Sequence, residues 1–447
     1  MNGIEAGFAA ECKEKMKNDP DVYSMQSRIE EKGIRNAAFQ CRYMTADFMD
    51  FDIRLPESPV TNQGISGRCW IYAAMNVINT MIASKNQFRY IQLSEDYIAF
   101  YDLLEKANYF LSFVIKTIKS DVEERHVWTM RQQPIQDAGQ WYFLQHIIEK
   151  YGIITKEAMP LRKAASKTSE MIDVLSDMLR EFESVLRNQY ESDPHDMETL
   201  LEQKQTMLYR VYRFLVMSLG EPPSSFSVKL KSIDENEIIE KDITPLDFYR
   251  KYVSWIDCNH DFCSLVNIPL RNKPFYQTYS VKYLGNVWGL RENSFLNLPM
   301  NVIKRYIVLQ LEHGVPVWIG CDSAVFPDTE NGIYATENYN LKVYGFQDLY
   351  FQKGYALQFG LTRIRHAMAV VGVSFDKQRM PSKWLVKNSY GSDAGHNGYI
   401  LMTDEWFSLY VYQAVIKKEL LDTRLLQMLK KNTISLDLWD VLGSLAD

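Results

Sequence analysis

The sequence has little cysteine and no excess of basic charge, and these two shortages set the first limits on function. Its 447 residues include six cysteines, too few for a disulfide scaffold, which indicates a reducing, cytoplasmic compartment. Lys and Arg total 50 against 56 Asp and Glu, so the net charge at pH 7 is −6. Because binding to nucleic-acid phosphates needs a basic excess or a basic stripe, we expect no nucleic-acid partner.

Long apolar runs are also missing. No segment reaches the roughly 18 uninterrupted apolar residues of a membrane span. The N-terminal twenty residues lack the basic and apolar regions of a secretory signal, so we expect no membrane partner. With 46% hydrophobic and 24% charged residues, the composition is that of an ordinary globular protein. The length is typical of two or three domains, or of one core with insertions.

Motifs of several enzyme classes are absent. The phosphate-binding patterns GxxxxGK[ST] and GxGxxG do not occur, and neither does the HExxH of zinc peptidases. One cluster, Cys258, His260 and Cys263 in CNHDFC, has the residue types of a metal site but lacks a second Cys/His pair at zinc-finger spacing. A metal-dependent peptidase or metal-binding protein is therefore a minor alternative, and we expect no cofactor and no metal.

Local patterns divide the chain into a helical first part and a strand-rich second part. Apolar residues at spacings of three and four predict helices over 67–83 and 140–151, after one or two polar helices within 1–50 and a loop over 51–66. From about residue 278, short runs rich in Val, Ile, Tyr and Trp are typical of strands. Together the two parts favour an α+β fold.

Residues 169–219 predict a helical hairpin. Met171, Leu175, Met178, Phe182 and Val185 repeat at spacings of 4, 3, 4 and 3, and helical spacing continues after the turn-like ESDPHD. The hairpin either packs on its own chain or forms a coiled-coil contact between two chains. Packing on its own chain is the more common arrangement for two short helices.

Cys69 lies in NQGISGRCWIYAAMNVI, where a Gly/Ser loop becomes a helix. The positive end of a helix dipole lowers the pKa of a thiol, and Arg68 adds positive potential beside it. Because the thiolate is the nucleophilic form, this position suits a catalytic cysteine. Taken alone, a cysteine at a helix start is more often a small buried hydrophobic residue.

A cysteine nucleophile needs a base, and the base needs an orienting partner. His366 opens the apolar run HAMAVVGV, which would hold it rigidly at the start of a buried strand, and Asn388 follows 22 residues later. The Asn388 side-chain oxygen could accept the imidazole N–H. Gln63, six residues before Cys69, could donate its amide to a developing oxyanion together with the Cys69 backbone N–H.

The combination of these residues resembles the papain-like cysteine peptidases, and more closely their bleomycin hydrolase and bacterial aminopeptidase C branch. Gln63 precedes Cys-Trp by six residues, His366 precedes an apolar strand, and Asn388 begins Asn-Ser-aromatic-Gly. Further similar segments are spread over nearly the whole chain, among them QDAGQWYFLQHIIEKYG, LGEPPSSF, YLGNVWG, VPVWIGCD and WDVLGSLAD.

The resemblance implies a papain-like two-lobe fold, with a helical lobe, a strand-rich and barrel-like lobe, a helical insertion and a C-terminal arm. On this basis we expect four regions: an N-terminal segment and helical lobe over 1–165, the insertion over 166–225, the strand-rich lobe over 226–425 and the arm over 426–447. Members of this branch form homohexamers whose active sites face an internal channel. Their substrates are peptides, and they work inside cells.

The resemblance also implies the chemistry. Cys69 would attack the scissile carbonyl, His366 would protonate the leaving amine and then activate water, and Asn388 would orient the imidazole, through a thioester acyl-enzyme. In this branch the C-terminal arm lies in the cleft, so Ala446 and Asp447 would contact the N-terminal amine of the substrate. This arrangement makes the enzyme an aminopeptidase.

Three departures from the family pattern leave alternatives open. Tyr390 stands in NSYG where the family has Trp, Val441 stands where its ending has Pro, and one residue follows its usual terminal Ala. A shifted arm would be compatible with a peptide endopeptidase of the same family. A more distant alternative is an inactive scaffold with a relict site, which the presence of all four site residues disfavours.

Overall fold

The computed structural model describes residues 3–17, 19–40, 50–256, 261–290, 293–347 and 351–446. Its helices, in chain order, are α1 Phe8–Met16, α2 Pro20–Ala37, α3 Cys69–Asn86, α4 Glu95–Lys116, α5 Arg125–Gln132, α6 Trp141–Tyr151, α7 Lys163–Ser166, α8 Ser169–Ser192, α9 Met197–Leu219, α10 Pro245–Tyr252, α11 Met300–Glu312, α12 Lys353–Gln358, α13 Asp404–Tyr410 and α14 Thr423–Leu429.

The strands are β1 Ile53–Arg54, β2 Phe226–Lys231, β3 Glu237–Ile243, β4 Phe262–Val266, β5 Gln277–Val281, β6 Phe295–Asn297, β7 Val317–Cys321, β8 Pro327–Asp328, β9 Ile333–Tyr334, β10 His366–Phe375, β11 Pro381–Lys387, β12 Tyr399–Thr403, β13 Val411–Lys417 and β14 Ile434–Leu436. The predicted α+β class is confirmed.

One large mixed sheet carries most of the strand-rich part. Its order is β14-β5-β6-β4-β13-β7-β10-β11-β12-β9-β8, and β1 pairs with β10 off this path. At its centre β10 lies antiparallel between β7 and β11, with His366 opposite Cys321 and Ala369 opposite Lys387. Strand β10 is buried along almost all of its length, which explains its nearly unbroken apolar sequence.

Helix α3 lies at the interface between the helical part and this sheet. Most of its residues from Cys69 to Ile82 are buried, as expected for a helix that is apolar on nearly all sides. The indole N–H of Trp318 on β7 donates to the Trp70 carbonyl over 3.2 Å, which fixes the start of α3 against the sheet. The predicted helices over 67–83 and 140–151 are confirmed as α3 and α6.

The predicted helical hairpin is confirmed as α8 and α9, and it packs on α4 of its own chain. The apolar stripe of α8 differs in part from the prediction. Val185 is exposed and Met178 is only partly buried, whereas Leu179 and Leu186 are fully buried. The predicted and the observed buried residues both have helical spacing, so only the position of α4 decides which face of α8 is buried.

Sequence patterns did not identify the β2–β3 hairpin, whose residues alternate between charged and partly buried positions. Among the helices that the structure describes, none is both long and apolar enough to cross a membrane.

Of the candidate metal cluster, Cys258 and His260 lie outside the described residues. Cys263 is buried in β4 with its sulfur 3.6 Å from the Ile416 carbonyl oxygen.

Candidate active site

Cys69 is the first residue of α3, and its side chain is buried at the start of β10, the central strand of the large sheet. Its Sγ accepts the backbone N–H of Ala367 over 3.3 Å. Ala367 directly follows His366 at the start of β10, so two segments that are almost 300 residues apart in sequence meet at the sulfur. The tertiary fold therefore brings the candidate nucleophile and the candidate base together.

Hydrogen bonds to Asp137, in the helical part of the chain, hold the loop before Cys69 in place. The Gly67 N–H donates to the Asp137 carboxylate over 2.9 Å, and the Trp70 indole N–H donates to the Asp137 carbonyl over 2.8 Å. At Gly67 a Cβ would lie 2.4 Å from an Asp137 oxygen, so this close approach requires glycine. Asp137 thus sets the position of the turn that presents Cys69.

The Arg68 guanidinium pairs with a carboxylate and not with the Cys69 thiol. It is fully buried, points into the helical part and pairs with Asp96 over 2.5 Å. It also donates to the Ala165 carbonyl. Because a buried cation requires a partner, the side chain turns toward the carboxylate at the start of α4.

His366 and Asn388 form a direct hydrogen bond, with 2.9 Å between Nε2 and Oδ1. The same Oδ1 accepts the Ser389 backbone N–H over 2.9 Å, which identifies it as the amide oxygen. Nε2 therefore carries the proton in the neutral ring, and Nδ1 is left as the basic nitrogen. Tyr390 stacks on the imidazole with ring centroids 5.3 Å apart and an interplanar angle of 4°.

Gln63 is buried beside this pair. The Ser389 hydroxyl donates to Gln63 Oε1 over 2.6 Å, and Gln63 Nε2 donates to the Ser66 carbonyl over 2.6 Å. An amide nitrogen has two N–H groups, and among the residues that the structure describes only Ser66 accepts from this one, so a second N–H is available for a further acceptor. Sequence reasoning did not assign Ser389 a contact, although it lies within the NSYG segment used for the resemblance.

Burial controls the protonation of the candidate pair. It raises the pKa of the Cys69 thiol to about 12; the Ala367 N–H opposes this rise and the Asp137 charge adds to it. Burial also lowers the pKa of His366, although the hydrogen bond that His366 donates to Asn388 opposes this change. The expectation that the helix start would lower the thiol pKa is therefore wrong, because the loss of hydration outweighs the helix dipole.

The C-terminal segment lies against the body of the protein. Strand β14 adds in parallel to β5, and Lys273 pairs with Asp440 over 2.8 Å with both side chains largely buried. A short 3₁₀ helix, Val441–Ala446, follows. Gly443 lines a cavity of about 100 Å³ together with Gln136, the residue before the Asp137 that holds the Cys69 turn. Asp447 lies outside the described residues.

Taken together, the structure brings Gln63, Cys69, His366 and Asn388 into one network of contacts and places the C-terminal segment beside the adjoining loop. A thiol, an imidazole with a fixed proton position and a free amide N–H are the groups that acyl transfer through a covalent intermediate requires.

Comparisons with known proteins agree over nearly the whole chain. The Peptidase C1-like family model matches residues 3–443. Aminopeptidase C of Listeria monocytogenes is 34% identical over 433 residues, covering 97% of this chain and 96% of that protein. Human bleomycin hydrolase is 34% identical over 394 residues, covering 87% of this chain and 86% of that protein.

Among solved structures, PepW from Lactobacillus rhamnosis HN001 is 34% identical, with a TM-score of 0.92 and coverage of 99% of each chain. This similarity confirms the fold expected from the sequence resemblance.

Proposed function

The chain belongs to the Peptidase C1-like family, and on this premise we propose that it is a cysteine aminopeptidase acting on peptides. The observation that carries the proposal is that two contacts meet at the start of β10. The Cys69 sulfur accepts the Ala367 N–H, and His366 Nε2 is hydrogen-bonded to Asn388 Oδ1. This geometry leaves the His366 Nδ1 as the base for the thiol.

In the proposed reaction, the Cys69 sulfur attacks the carbonyl carbon of the scissile bond as its proton passes to His366. The developing oxyanion accepts hydrogen bonds from the Cys69 backbone N–H and the free N–H of Gln63 Nε2. His366 then protonates the leaving amine, and a thioester forms. Water attacks the thioester with His366 as the base, which releases the amino acid and restores the thiol.

Since burial disfavours both an isolated thiolate and an isolated imidazolium, the charged pair forms only jointly. Proton transfer from Cys69 to His366 keeps the net charge of the pair at zero, so each charge compensates for the desolvation of the other. Asn388 keeps the ring oriented during this transfer, and Tyr390 shields the hydrogen bond from water as the Trp of the family would.

We also propose that the C-terminal arm limits cleavage to the first residue of a peptide. Gly443, near its described end, lines the same cavity as Gln136, which precedes the Asp137 that bonds the loop before Cys69; this supports a position in the cleft. The carboxylates of Asp447 would then attract the substrate ammonium. The proposed compartment is the cytoplasm, and the proposed assembly is a homohexamer, which light scattering in solution would test.

The deciding experiment compares aminoacyl reporter amides with the same reporters carrying blocked N-termini. We expect the intact chain to hydrolyse only free-amine reporters, truncation of the last few residues to add activity on blocked ones, and Cys69→Ala to abolish both. Cleavage of blocked reporters by the intact chain would instead identify an endopeptidase. Absence of Cys69-dependent cleavage on every substrate would favour the inactive scaffold.

A further inference from the structure

Lys387, the residue directly before Asn388, is a buried cation that the proposed mechanism does not use. It is the last residue of β11 and is only 2% exposed. Its Nζ donates to the Ser58 carbonyl over 3.0 Å, to the Ser58 hydroxyl over 2.6 Å and to the Pro59 carbonyl over 2.8 Å. All three acceptors are uncharged oxygens, so these hydrogen bonds compensate for the burial of the charge.

The number of these bonds matches the protonated form of the side chain. An ammonium has three N–H groups, and each has one acceptor here. A neutral amine has only two N–H groups, and its hydrogen bonds lack the added strength that a charged donor gives. The contact is therefore complete only while Lys387 carries its proton.

The segment held by Lys387 begins at residue 58 and leads to Gln63. The Gln63 backbone N–H donates to the Ser389 carbonyl over 2.8 Å, and the Ser389 hydroxyl donates back to Gln63 Oε1. Lys387 thus fixes the start of segment 58–63, and Ser389 fixes its end. Asn388 lies between these two residues, so the candidate oxyanion donor and the residue that orients the imidazole share one support.

We infer that Lys387 is a positioning residue for Gln63 and Asn388, an inference that rests on the proposed function. Its ammonium keeps segment 58–63 against the end of β11, which fixes the Gln63 amide relative to the His366–Asn388 pair. When the ammonium loses its proton, at least one of the three bonds is lost and this relative position is held less firmly. The contact is therefore a pH-dependent part of the active site.

The proton is lost in a range of pH that experiments can reach. Burial lowers the pKa of Lys387 to about 8, and the charge of Glu57 opposes this change. The ammonium should therefore be intact at pH 6.5 and largely lost at pH 9.5.

The surroundings of Lys387 contain three other titratable groups. Arg54, Glu57 and Tyr399 line the same small cavity, to which α3 contributes the uncharged Asn76 and Thr80. A guanidinium and a carboxylate keep their charges between pH 7 and 10.

Tyr399 is opposite Lys387 in the β11–β12 pair, and burial raises the pKa of its hydroxyl, so it stays neutral in this range. On the other side of β11, the opposite residue is the uncharged Ala369. His396 lines a neighbouring cavity that shares Arg54 with the first but is not lined by Lys387. Lys387 is thus the group of its cavity whose charge changes between pH 7 and 9.

The test follows hydrolysis of an uncharged aminoacyl reporter amide from pH 6.5 to pH 9.5 in the intact chain and in Lys387→Met. At pH 6.5 we expect kcat to be about fivefold lower in the variant, the size of one hydrogen bond, with KM little changed. At pH 9.5 the intact chain has lost the proton too, so the ratio of the two kcat values should approach one. Titration of the Cys69–His366 pair affects both chains alike and cancels in this ratio.

Lys383→Met is the matched control. Lys383 lies four residues earlier on the same face of β11 and is partly exposed. This variant loses the same charge and should match the intact chain at every pH. A kcat ratio for Lys387→Met that is constant with pH would overturn the inference, because it would mean a purely structural role. Equal effects of the two variants would overturn it as well.

A second variant, Lys387→Arg, keeps the inference testable if Lys387→Met does not fold. Arginine keeps its charge throughout this range of pH. The activity of this variant relative to the intact chain should therefore increase from pH 6.5 to pH 9.5. A constant relative activity would contradict the inference.

Unfolding by denaturant separates this inference from the proposed function. The pKa of Lys387 is lower in the folded chain than the roughly 10.4 of an unfolded one, so between these values the folded chain binds fewer protons and stability rises with pH. We expect the rise in the unfolding midpoint to be smaller in Lys387→Met than in the intact chain or in Lys383→Met.

An equal rise in all three chains would reject the buried ammonium and the inference with it. A rise that depends on Lys387, together with no Cys69-dependent hydrolysis of any substrate, would reject the proposed function and leave the pH-dependent contact in place.

Discussion

At the scale of single residues, the pKa of Cys69 is the property that most affects the proposed chemistry. A thiol at a helix start is expected to ionise easily, but burial raises its pKa to about 12. The reactivity of Cys69 must then depend on His366, whose own protonation is also disfavoured by burial. Neither residue is activated alone, so the pair is the functional unit.

This dependence predicts how alkylation of Cys69 by iodoacetamide varies with pH. A raised pKa means that thiolate is lost as the pH falls below about 12. In His366→Gln we therefore expect the rate at pH 7 to drop at least tenfold and to increase up to pH 10 without a plateau. The intact chain should react at neutral pH through the ion pair. Peptide mass spectrometry measures the rate at each cysteine.

Cys12, which is partly exposed on α1, provides the internal control and should react equally in both chains. A plateau below pH 8 in His366→Gln would contradict the prediction, since it would mean that the helix start alone lowers the thiol pKa.

At the scale of elements, the turn before α3 is stabilised by contacts from other parts of the chain. Arg68 is the N-cap residue of α3, but its side chain makes no capping hydrogen bond and pairs instead with Asp96 in the first turn of α4. The two helix starts are thereby tied together within the core. The position of Cys69 thus depends on an ion pair that is fully removed from water.

Asp96→Asn tests this tie. It leaves the buried Arg68 guanidinium without a counter-charge, which costs about 3–5 kcal/mol when one partner of a buried pair is removed. We expect denaturant unfolding to show a loss of that order. Glu57→Gln breaks the exposed Arg54–Glu57 pair as a control and should cost less than about 1 kcal/mol. Similar small losses in both variants would show that Asp96 does not hold the turn.

At the scale of the whole molecule, the C-terminal arm joins elements from both parts of the chain. It extends the large sheet through β14. The Arg125 guanidinium stacks on the Trp439 ring, with its central carbon 3.8 Å from the ring centroid. Two ion pairs flank this contact. Lys273–Asp440 is largely buried, and Lys282–Asp437 is about half exposed.

These two pairs allow a matched test of the arm. Lys273→Met leaves the Asp440 carboxylate buried without its partner, so we expect the arm to detach in part and hydrolysis of N-blocked reporters to rise several-fold. Lys282→Met removes an exposed pair and should change neither stability nor specificity. If Lys273→Met gains no activity on blocked reporters while limited proteolysis shows a released arm, the arm does not restrict the cleft.

Sequence reasoning was most successful where a local pattern or spacing carries the information. Helices α3 and α6, the α8–α9 hairpin and the strand starting at His366 follow from apolar periodicity. The choice of Gln63, Cys69, His366 and Asn388 followed from their spacing and residue types. Prediction from the sequence failed for the buried face of α8 and for the β2–β3 hairpin. In both cases the pattern alone does not show which neighbouring element packs against the residues.

The sequence by itself determined the class of fold, the candidate nucleophile, base and oxyanion donor, and the family resemblance, because these depend on residue type and on order along the chain. Only the tertiary structure decided the environment of each group: the raised pKa of Cys69, the turn of Arg68 toward Asp96, and the hydrogen bonds of Lys387 to Ser58 and Pro59. The physical reason is that desolvation and charge pairing depend on atoms brought close by packing from distant parts of the chain.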